Sequence, residues 1–596
     1  MCGIAGIYAY SPRSPAVDQG ELLRIRDAMQ ARGPDAADLW ISGDQRLGFA
    51  HRRLAIIDLS PGGIQPMHDP HSGNWIVFNG EIYNHHALRA ELLRDGIATR
   101  SLSDTEVLLK LYAQKGPAML SQLRGMFAMA IWDERKQHLF LARDVYGIKP
   151  LYIADDGHSL RFASQVKALL QGKVDSRPEP AGHAGFLLWG SVPEPYTLYR
   201  GIRAFPPGHW MTVGHEHSSR PVQFDSLSQR IVKLPSASAQ DSTEALHQIA
   251  AAVRDSVAAH MVADVPVGVF LSAGLDSTML AACAAKQGEL RSVTLGFDEY
   301  TNTEYDEAKL ASVVAGHLGA QHTLHRIAAA DFANDRAHML QAMDQPSIDG
   351  INTWFVAKAA AQQGLKVALS GIGGDELFGS YPSFSQVPKL FNAMQRFNAM
   401  PRLSRTVRRG LSSVSGLLPS PKYAGVLEYG GTLGGAYLLR RALHMPWEIA
   451  TLMDPDMAAE GLQRLDTLLA LAECKQGIES ERLAITALES QWFMRNQLLR
   501  DADWAGMAHS LEIRVPFVDT QLLDRFIEIP SLSPSQEKAM IARTVAPELP
   551  EAILNRPKTG FSVPIHQWLN PQAHHSVNSH REWAGMLYQS FTQGPG

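Results

Sequence analysis

The stretch from residue 267 to residue 280, VGVFLSAGLDSTML, constrains the fold of this chain more than any other. Its first five residues are apolar and rich in β-branched and aromatic side chains, which predicts a buried strand. The apolar and small residues from 278 to 285 predict a helix. A glycine-containing turn between strand and helix points backbone N–H groups and the helix dipole at one spot. The stretch therefore predicts a βα unit with a pyrophosphate site.

The same turn contains an acidic residue, Asp276. Phosphate would repel this carboxylate unless a cation lay between them, which suggests Mg²⁺. The turn is not a Walker loop, because the G-x-x-x-x-G-K-[ST] spacing is absent. For this loop taken alone, an ordinary βα turn remains the alternative.

From residue 264 onward, strand and helix patterns alternate along the chain. Strands are predicted at 267–271, 292–297, 322–327 and 366–370, and helices at 278–286, 304–318 and 353–363. This alternation predicts a parallel sheet of βα units with right-handed crossovers.

A second glycine-rich turn, Ser370 to Gly379, follows the last of these strands. Ligands of such sheets lie at the carboxyl ends of the strands. Asp375 in this turn is therefore expected to meet Asp276 across the crevice, where two carboxylates suit a hard cation.

The first 210 residues are rich in β-strand patterns, and their helical patterns are few. They predict an α+β domain with packed sheets. Strands are predicted at 3–10, 47–58, 75–82, 126–132, 138–142 and 151–154, and helices at 19–31, 86–93 and 105–114.

Residues 211–241 are mixed and polar and are predicted to link two domains, 1–210 and 242–596. A helix is then expected from Thr243 to Met261, with Ser242 as its N-cap. Starting at Leu246, apolar residues recur at every third or fourth position, so they would share one face of this helix. Residues 383–490 read as helical without identifiable chemistry.

Composition limits the class of protein. The chain has 596 residues, 45% hydrophobic and 19% charged, which is ordinary for a soluble globular protein. A net charge of −5 argues against a nucleic-acid binder. Three cysteines are too few for a disulfide framework or a zinc site and suit a reducing cytoplasm. No signal peptide and no apolar run of about 18 residues is apparent, so a cytoplasmic protein without a membrane span is expected.

Cys2 is chemically distinctive because it follows the initiator methionine. Removal of Met1 would leave a thiol and a free α-amine on one residue. An α-amine has a pKa of about 7.7–8.0, so it can act as the base for its own nucleophile. A chance cysteine at position two would be the simpler explanation if this residue stood alone.

Three further features accompany Cys2. Asn79 and Gly80 follow a strand, where an amide side chain and a backbone N–H can form an oxyanion hole. Arg53 offers a fork for a carboxylate. Asp104 can accept an ammonium group, although N-capping of the helix that follows is its ordinary role. Together these groups describe a site for an amino acid with a reactive side chain.

The segments MCGIAGIY, RGPD, RLAIID, NGEIYN, SDTE and GMFAMAIWD together resemble class II glutamine amidotransferases, which are N-terminal-nucleophile hydrolases of αββα architecture. The resemblance implies that Cys2 attacks glutamine and releases ammonia. It implies that Arg53 binds the glutamine carboxylate and Asp104 its amino group, with Glu81 beside them. Asn79 and Gly80 would hold the oxyanion.

The segments LSAGLDS, LSGIGGDELFGSY, MAHSLEIRVPFVD and RPKTGFSVPIHQWL resemble the synthetase domain of asparagine synthetases, an α/β ATP pyrophosphatase domain with a helical C-terminal part. The resemblance implies that Asp276 and Asp375 hold Mg²⁺ and that Lys538 stabilises the adenylating transition state. The remaining residues that it implies for ATP binding are Ser272, Gly274, Leu275, Ser277, Leu295, Ser370 and Gly371.

This resemblance implies an enzyme with two sites. Glutamine is hydrolysed at Cys2, and the ammonia passes inside the protein to a carboxylate that ATP has adenylated. L-Aspartate is the expected acceptor. A uronic acid of a surface polysaccharide is the first alternative, and a β-lactam-forming cyclase and a non-enzymatic paralogue are weaker ones. The expected partners are these small molecules and a second copy in a homodimer, with Mg²⁺ accompanying ATP and no organic prosthetic group.

Two positions depart from the family pattern. Ala273 replaces the first glycine of the usual SGGLDS, which is expected to be tolerated if its backbone φ is negative. Ile372 replaces a glutamate linked to the aspartyl-adenylate step. Its side chain is expected to face the reaction chamber, where it can bond no ammonium group. Either a nearby carboxylate such as Asp349 or Glu376 compensates, or the acceptor lacks that group.

Overall fold

The computed structural model describes residues 2–215, 217–233, 242–303, 305–412, 420–528, 534–556, 563–569 and 579–592. Among these residues, no helix is both long enough and apolar enough to span a membrane. The strands are β1 Gly3–Tyr8, β2 Ala36–Ile41, β3 Leu47–Arg53, β4 Met67–His68, β5 Trp75–Ile82, β6 Gly125–Asp133, β7 His138–Arg143, β8 Tyr152–Asp155, β9 Leu160–Ala163, β10 Arg203–Ala204, β11 His209–Gly214, β12 His217–Ser218, β13 Val222–Gln223, β14 Val267–Phe270, β15 Arg291–Phe297, β16 Gln321–Ile327, β17 Val367–Leu369 and β18 Glu512–Arg514.

The first twelve helices are α1 Gln19–Asp27, α2 His85–Arg94, α3 Asp104–Lys115, α4 Val166–Leu169, α5 Pro180–Trp189, α6 Leu227–Lys233, α7 Ser242–His260, α8 Leu275–Ala285, α9 Ala308–His317, α10 Ala329–Ala342, α11 Ile351–Gln362 and α12 Gly374–Phe378. The later helices are α13 Ser383–Met394, α14 Pro401–Ser412, α15 Val426–Tyr429, α16 Leu433–Arg441, α17 Pro455–Leu465, α18 Thr467–Cys474, α19 Glu481–Leu488, α20 Arg500–Ala508, α21 Thr520–Ile527, α22 Pro534–Val545, α23 Glu551–Leu554, α24 Ile565–Leu569 and α25 Ser579–Thr592; a π-helix, Glu489–Leu499, joins α19 to α20.

The N-terminal part is a four-layer sandwich, as the resemblance implied. One antiparallel sheet has the order β10-β8-β9-β1-β3-β2, and the other has the order β12-β11-β7-β6-β5-β4 with β13 on β11. Apolar side chains of both sheets, such as Phe49 and Leu141, form the core between them. Helices α2 and α3 cover the outer face of one sheet, and α1 and α4 cover the other. The predicted αββα architecture is confirmed.

The second part contains a parallel sheet with the order β16-β15-β14-β17-β18. Strands β14 and β17 are neighbours, so the loops that leave their carboxyl ends meet at one edge of the sheet. The predicted parallel sheet is therefore confirmed. Its fifth strand, β18, was not predicted, because three residues are too few to show a periodicity.

The predicted linker at 211–241 differs from the structure. Strand β11 continues to Gly214 and pairs with β7, and β13 pairs with β11, so residues 211–214 and 222–223 belong to the first domain. Helix α6 then packs against the second domain, where Arg230 bonds Asp524 at 2.5 Å. We propose that the boundary lies after β13.

Other differences arise where the local pattern is uninformative. Helix α5 has apolar residues on every side and all ten of its residues are buried, so it shows no amphipathic period. Strand β2 lies at the edge of its sheet, and its residues are half-buried or exposed without the alternation that predicts a strand. Ser242 begins α7, and the capping role predicted for its side chain lies outside the described residues.

Candidate active sites

Cys2 lies directly before β1, against the strand that supplies Asn79. The backbone nitrogen of Cys2 donates to Asn79 Oδ1 at 3.0 Å. Asn79 is fully buried on β5, and its Nδ2 has no hydrogen-bond partner among the described residues. One end of this amide therefore holds the nucleophile's backbone while the other keeps a free donor beside it. A buried free donor next to a nucleophile is what an oxyanion hole requires.

Gly80 is required by the close approach of the neighbouring strand. A Cβ at this position would lie 2.1 Å from the carbonyl oxygen of Met126 on the neighbouring strand β6. Burial raises the pKa of the Cys2 thiol, so in this environment the thiol is protonated at neutral pH. Activation of Cys2 therefore needs a base, and the α-amine predicted for the processed chain is one.

Arg53 ends β3 and is buried at 7% exposure. Its guanidinium is held by the loop that follows, donating to the carbonyl oxygens of Ser60, at 3.0 Å, and Asp58. These contacts fix the orientation of the guanidinium.

Asp104 is the first residue of α3 and is buried at 5% exposure. Ser103 is the N-cap of this helix, so capping is not the role of Asp104. Asp104 Oδ2 accepts the backbone N–H of Ile82 at 3.0 Å. Burial raises the pKa of Asp104 to about 6 despite its backbone hydrogen bonds, which leaves the carboxylate ionised at pH 7 and short of a cation.

Glu81 meets the second domain. Arg514 Nη2 lies 3.5 Å from Glu81 Oε2, and Arg514 Nε donates to Glu512 at 2.6 Å. All three side chains are buried. Burial, and next the charge of Glu512, raise the pKa of Glu81 well above its ordinary value. The segment LEIRVPF therefore supplies two residues, Glu512 and Arg514, next to the site around Cys2, a role that the sequence alone does not indicate.

The predicted pyrophosphate loop connects β14 to α8. Ser277 Oγ ties the turn together by accepting the N–H of Ser272 at 3.1 Å and donating to the carbonyl of Gly274 at 3.1 Å. Gly274 is the N-cap and Leu275 the first residue of α8. The first N–H groups of α8 therefore open onto the loop, which is the arrangement that binds phosphate.

Ala273 does not meet the condition set from the sequence. Its φ is +50°, in the left-handed region, so the negative φ under which the alanine was expected to be tolerated is not present. The Cβ of an L-residue costs roughly 1–2 kcal/mol in this conformation. Glycine would adopt this backbone conformation without that cost.

Asp276 and Asp375 meet as predicted, and Lys538 on α22 lies between them. Lys538 Nζ is 2.5 Å from Asp276 Oδ2 and 2.7 Å from Asp375 Oδ1. Burial opposes the charge of Lys538, but the two carboxylates outweigh it and raise the pKa of its ammonium group. Two carboxylates that both reach one cationic atom are also placed to share one metal ion.

Two glycines of the second loop allow the carboxylate of Asp276 to enter. A Cβ on Gly374 would lie 2.4 Å from Asp276 Oδ1, and one on Gly371 would lie 3.0 Å from Asp276 Cβ. The N–H of Ser370, the residue before these glycines, donates to the carbonyl of Arg514 at 2.8 Å. Leu295 is buried on β15 among apolar neighbours, so its side chain belongs to the hydrophobic core.

Ile372 is partly buried and packs against two hydrophobic clusters, and it supplies no polar group. Of the carboxylates named for compensation, Asp349 lies near Asp501, and burial raises the pKa of both. Glu376 is 2% exposed and bonds Tyr381 through Oε1 at 3.1 Å, while its Oε2 has no hydrogen bond among the described residues. Burial, and next Asp375, raise the pKa of Glu376 to about 8.

Arg556 contacts the predicted pyrophosphate loop, and this role was not predicted from the sequence. Its Nη1 donates to the carbonyl of Ala273 at 3.4 Å, and its Nη2 lies 3.1 Å from Glu307. The quoted motif begins at this arginine, which was a usable signal. Residues 557–562 of the same motif lie outside the described residues.

Known protein families match both domains of this chain. A glutamine amidotransferase domain model matches residues 1–224, and an asparagine synthase model matches residues 248–587. The chain is 31% identical to "Asparagine synthetase [glutamine-hydrolyzing] 1" of Bacillus subtilis, covering 99% of this chain and 90% of the relative. It is 31% identical to "Asparagine synthetase B [glutamine-hydrolyzing]" of Escherichia coli over 65% of this chain and 66% of that one.

Among solved structures, a glutamine phosphoribosylpyrophosphate amidotransferase from B. subtilis aligns with 55% of this chain and 81% of its own, at 16% identity and a TM-score of 0.29. The two domain matches follow the order of the two sites along the chain. With a buried cysteine and a free amide donor in one half and a carboxylate pair beside a strand-to-helix turn in the other, this chain belongs to the asparagine synthetase family, the glutamine-hydrolysing carbon–nitrogen ligases.

Proposed function

We propose that the protein forms L-asparagine from L-aspartate, with glutamine as nitrogen donor and ATP as activator. The observation that supports this most directly is that one chain contains both a nucleophile site and a carboxylate-pair site. Asn79 holds Cys2 in the first, and Lys538 joins Asp276 and Asp375 in the second. A glutaminase alone would need no carboxylate pair, and an ammonia-dependent ligase would need no buried nucleophile.

In the first site, the α-amine of processed Cys2 takes the thiol proton, and the thiolate attacks the glutamine amide. Asn79 Nδ2 and the Gly80 N–H stabilise the oxyanion of the tetrahedral intermediate. Arg53 and Asp104 bind the carboxylate and the ammonium group of glutamine. Collapse of the intermediate releases ammonia, and water then hydrolyses the glutamyl thioester to glutamate.

In the second site, the N–H groups at the start of α8 and the hydroxyls of Ser272 and Ser277 bind the pyrophosphate of ATP. Asp276 and Asp375 would hold Mg²⁺, which neutralises charge on the departing pyrophosphate when bound. The described residues contain no cluster of three or more ligands, so phosphate and water oxygens would complete its coordination. Lys538 adds positive charge where the adenylating transition state becomes negative.

The acceptor carboxylate attacks the α-phosphorus of ATP to give an acyl-adenylate and pyrophosphate. Ammonia then attacks the acyl carbon, AMP leaves, and the proton that ammonia loses passes to a base or to water. For aspartate, we propose that Glu376 Oε2 accepts the ammonium group. This buried oxygen is available for a partner, and a cation placed there would favour the ionised carboxylate.

A panel of acceptors tests the choice of substrate. Wild-type protein is given glutamine, ATP, Mg²⁺ and one carboxylate at a time, and pyrophosphate release is measured together with amide formation by mass spectrometry. We expect L-aspartate to give the fastest turnover and Glu376→Gln to raise the KM for aspartate. Turnover with uronic acids and none with aspartate would replace this proposal by the polysaccharide alternative, which the absence of a polar side chain at Ile372 favours.

Cytoplasmic location and a homodimer stay predictions. Both follow from the composition and the family resemblance, and size-exclusion chromatography with light scattering measures the second directly.

A further inference from the structure

A short segment of the glutaminase domain, from Ala31 to Asp35, is held by the synthetase domain at three points. Ser510 Oγ donates to the carbonyl of Ala31 at 2.6 Å. Asp503 on α20 bonds Arg32. Lys366 Nζ donates to Asp35 Oδ2 at 2.8 Å. We call residues 31–35 the RGPD segment, after the motif that it contains.

The central contact is a two-pronged ion pair. Arg32 Nη1 and Nη2 donate to Asp503 Oδ2 and Oδ1 at 2.6 and 3.0 Å. The side chain of Arg32 is 1% exposed and that of Asp503 is 9% exposed. Burial disfavours the charged guanidinium, but Asp503 outweighs it and raises the pKa of Arg32. Planar bidentate pairs fix orientation as well as supplying attraction.

The third arm of the same guanidinium reaches the nucleophile. Arg32 Nε donates to the carbonyl oxygen of Cys2 at 3.1 Å. Asn79 holds the backbone nitrogen of Cys2 from the other side. Two contacts therefore fix the backbone of Cys2. Asn79 makes the first from the same domain. Arg32 makes the second, and Asp503 of the other domain sets the orientation of Arg32.

The RGPD segment has little freedom to take another position. A Cβ on Gly33 would lie 2.3 Å from the carbonyl carbon of Arg52, so the segment lies directly on the end of β3. The N–H of Asp35 donates to the carbonyl of Arg53, the residue proposed to bind the glutamine carboxylate, at 3.0 Å. A shift of Arg32 therefore acts on Cys2 while the neighbouring backbone stays in place.

We propose that Asp503, a residue of the synthetase domain, is a positioning residue for the glutaminase reaction. It fixes Arg32, and Arg32 fixes the backbone of Cys2. The inference rests on the proposed glutaminase chemistry at Cys2. It assigns no role to Asp503 in the adenylation site, so loss of this carboxylate affects the supply of ammonia and spares its use.

The main experiment compares two nitrogen sources in Asp503→Asn. A nucleophile displaced by about 1 Å loses roughly 10²-fold in rate. We expect glutamine-dependent kcat to fall by about that factor, with the KM for glutamine within threefold of wild type because Arg53 and Asp104 are untouched. Turnover from added ammonium chloride is expected within twofold of wild type, which also shows that the variant is folded.

A second readout follows Cys2 itself. The rate at which a glutamine analogue with a diazoketone alkylates Cys2 is measured against pH, together with the melting temperature. We expect Asp503→Asn to slow alkylation across the pH range. Asp503→Glu keeps the buried charge but moves the carboxylate by one methylene, so it should fold even if the asparagine variant does not, with an intermediate and equally selective loss.

Glu179→Gln is the matched control. Glu179, 3% exposed, also forms a two-pronged pair with an arginine, Arg464, at 2.7 and 2.9 Å, and none of its described bonds reaches Cys2 or Arg32. It should not distinguish the two nitrogen sources. The inference is overturned if Asp503 variants keep glutamine-dependent kcat within threefold, lose both activities equally, or are matched by Glu179→Gln. Absence of glutaminase activity in wild type, or its survival in Cys2→Ala, would instead remove the proposed function.

Discussion

The two active sites are built in different ways. In the glutaminase site, Cys2, Asn79 and Asp104 are 9%, 0% and 5% exposed, and each is held by contacts between strands or at a strand end. In the synthetase site, Asp276 and Asp375 are only half-buried and lie in the first turns of α8 and α12, which follow β14 and β17. The first site is formed mainly by the sheets, whereas the second is formed where helices begin at the ends of parallel strands.

This difference matches the chemistry of each site. A small substrate that reacts with an enzyme side chain needs an exact position for that side chain, which buried strands provide. A nucleotide that reacts with a second substrate needs room and neutralising charge, and turns at the ends of parallel strands provide both. We therefore expect substitutions in the first site to affect one nitrogen source only, and substitutions in the second to affect every overall reaction.

The largest expected effect comes from Cys2→Ala. Without its nucleophile, the first site should lose about 10⁴-fold or more in glutamine-dependent turnover. Amide formation from ammonium salts should remain within twofold of wild type, since the second site is intact. Both rates are measured by pyrophosphate release at saturating ATP. Equal loss from both nitrogen sources would show that the two sites are not separate in this sense.

The reverse separation is expected from Asp276→Asn and from Asp375→Asn. Each removes one charge from the proposed Mg²⁺ site, where metal neutralisation is worth several kcal/mol. Adenylation should fall by about 10²–10³-fold with either nitrogen source, while basal glutaminase stays within threefold. Titration with Mg²⁺ should show a raised requirement for the metal. Normal pyrophosphate release by either variant would contradict the metal assignment.

A smaller, pH-dependent effect is expected from Asp104, whose pKa burial raises to about 6. Binding of the glutamine ammonium group needs the ionised carboxylate, so kcat/KM for glutamine should fall about fivefold from pH 6 to pH 5. The folded protein holds this proton more tightly than the unfolded chain, so this carboxyl lowers stability as pH rises from about 4 to 6.

Asp104→Asn supplies the control for both parts of that prediction. The variant should lose the acidic limb of the kcat/KM profile, and its melting temperature relative to wild type should be higher at pH 7.5 than at pH 5. A limb that persists in the variant would assign the titration to another group.

Most of this architecture could be predicted from the sequence. Both sites lie at strand ends, and the hydrophobic patterns and the order of strands along the chain predict where those ends are. The meeting of Asp276 with Asp375 follows from two neighbouring strands, and the layers of the first domain follow from its strand patterns and motifs. The contacts of Arg32 with Asp503 and of Glu81 with Arg514 join residues more than 400 positions apart. No local pattern signals such pairs, because they depend on how two domains pack. The backbone of Ala273 also escaped prediction, since one torsion angle has no periodicity.

The smallest expected effect concerns that alanine and tests how much strain the loops of the second site contain. At φ +50°, Ala273 costs roughly 1–2 kcal/mol relative to glycine, and Ala273→Gly would remove this strain. The added freedom of the unfolded chain would offset about 0.4–1 kcal/mol. Ala273→Gly should therefore raise the free energy of unfolding by up to about 1.6 kcal/mol, measured by urea denaturation, with the KM for ATP within threefold of wild type. Ala251→Gly, at an exposed position in α7, should instead lose about 1 kcal/mol, because its helical backbone suits alanine. If both substitutions destabilise equally, the loop is not strained at Ala273.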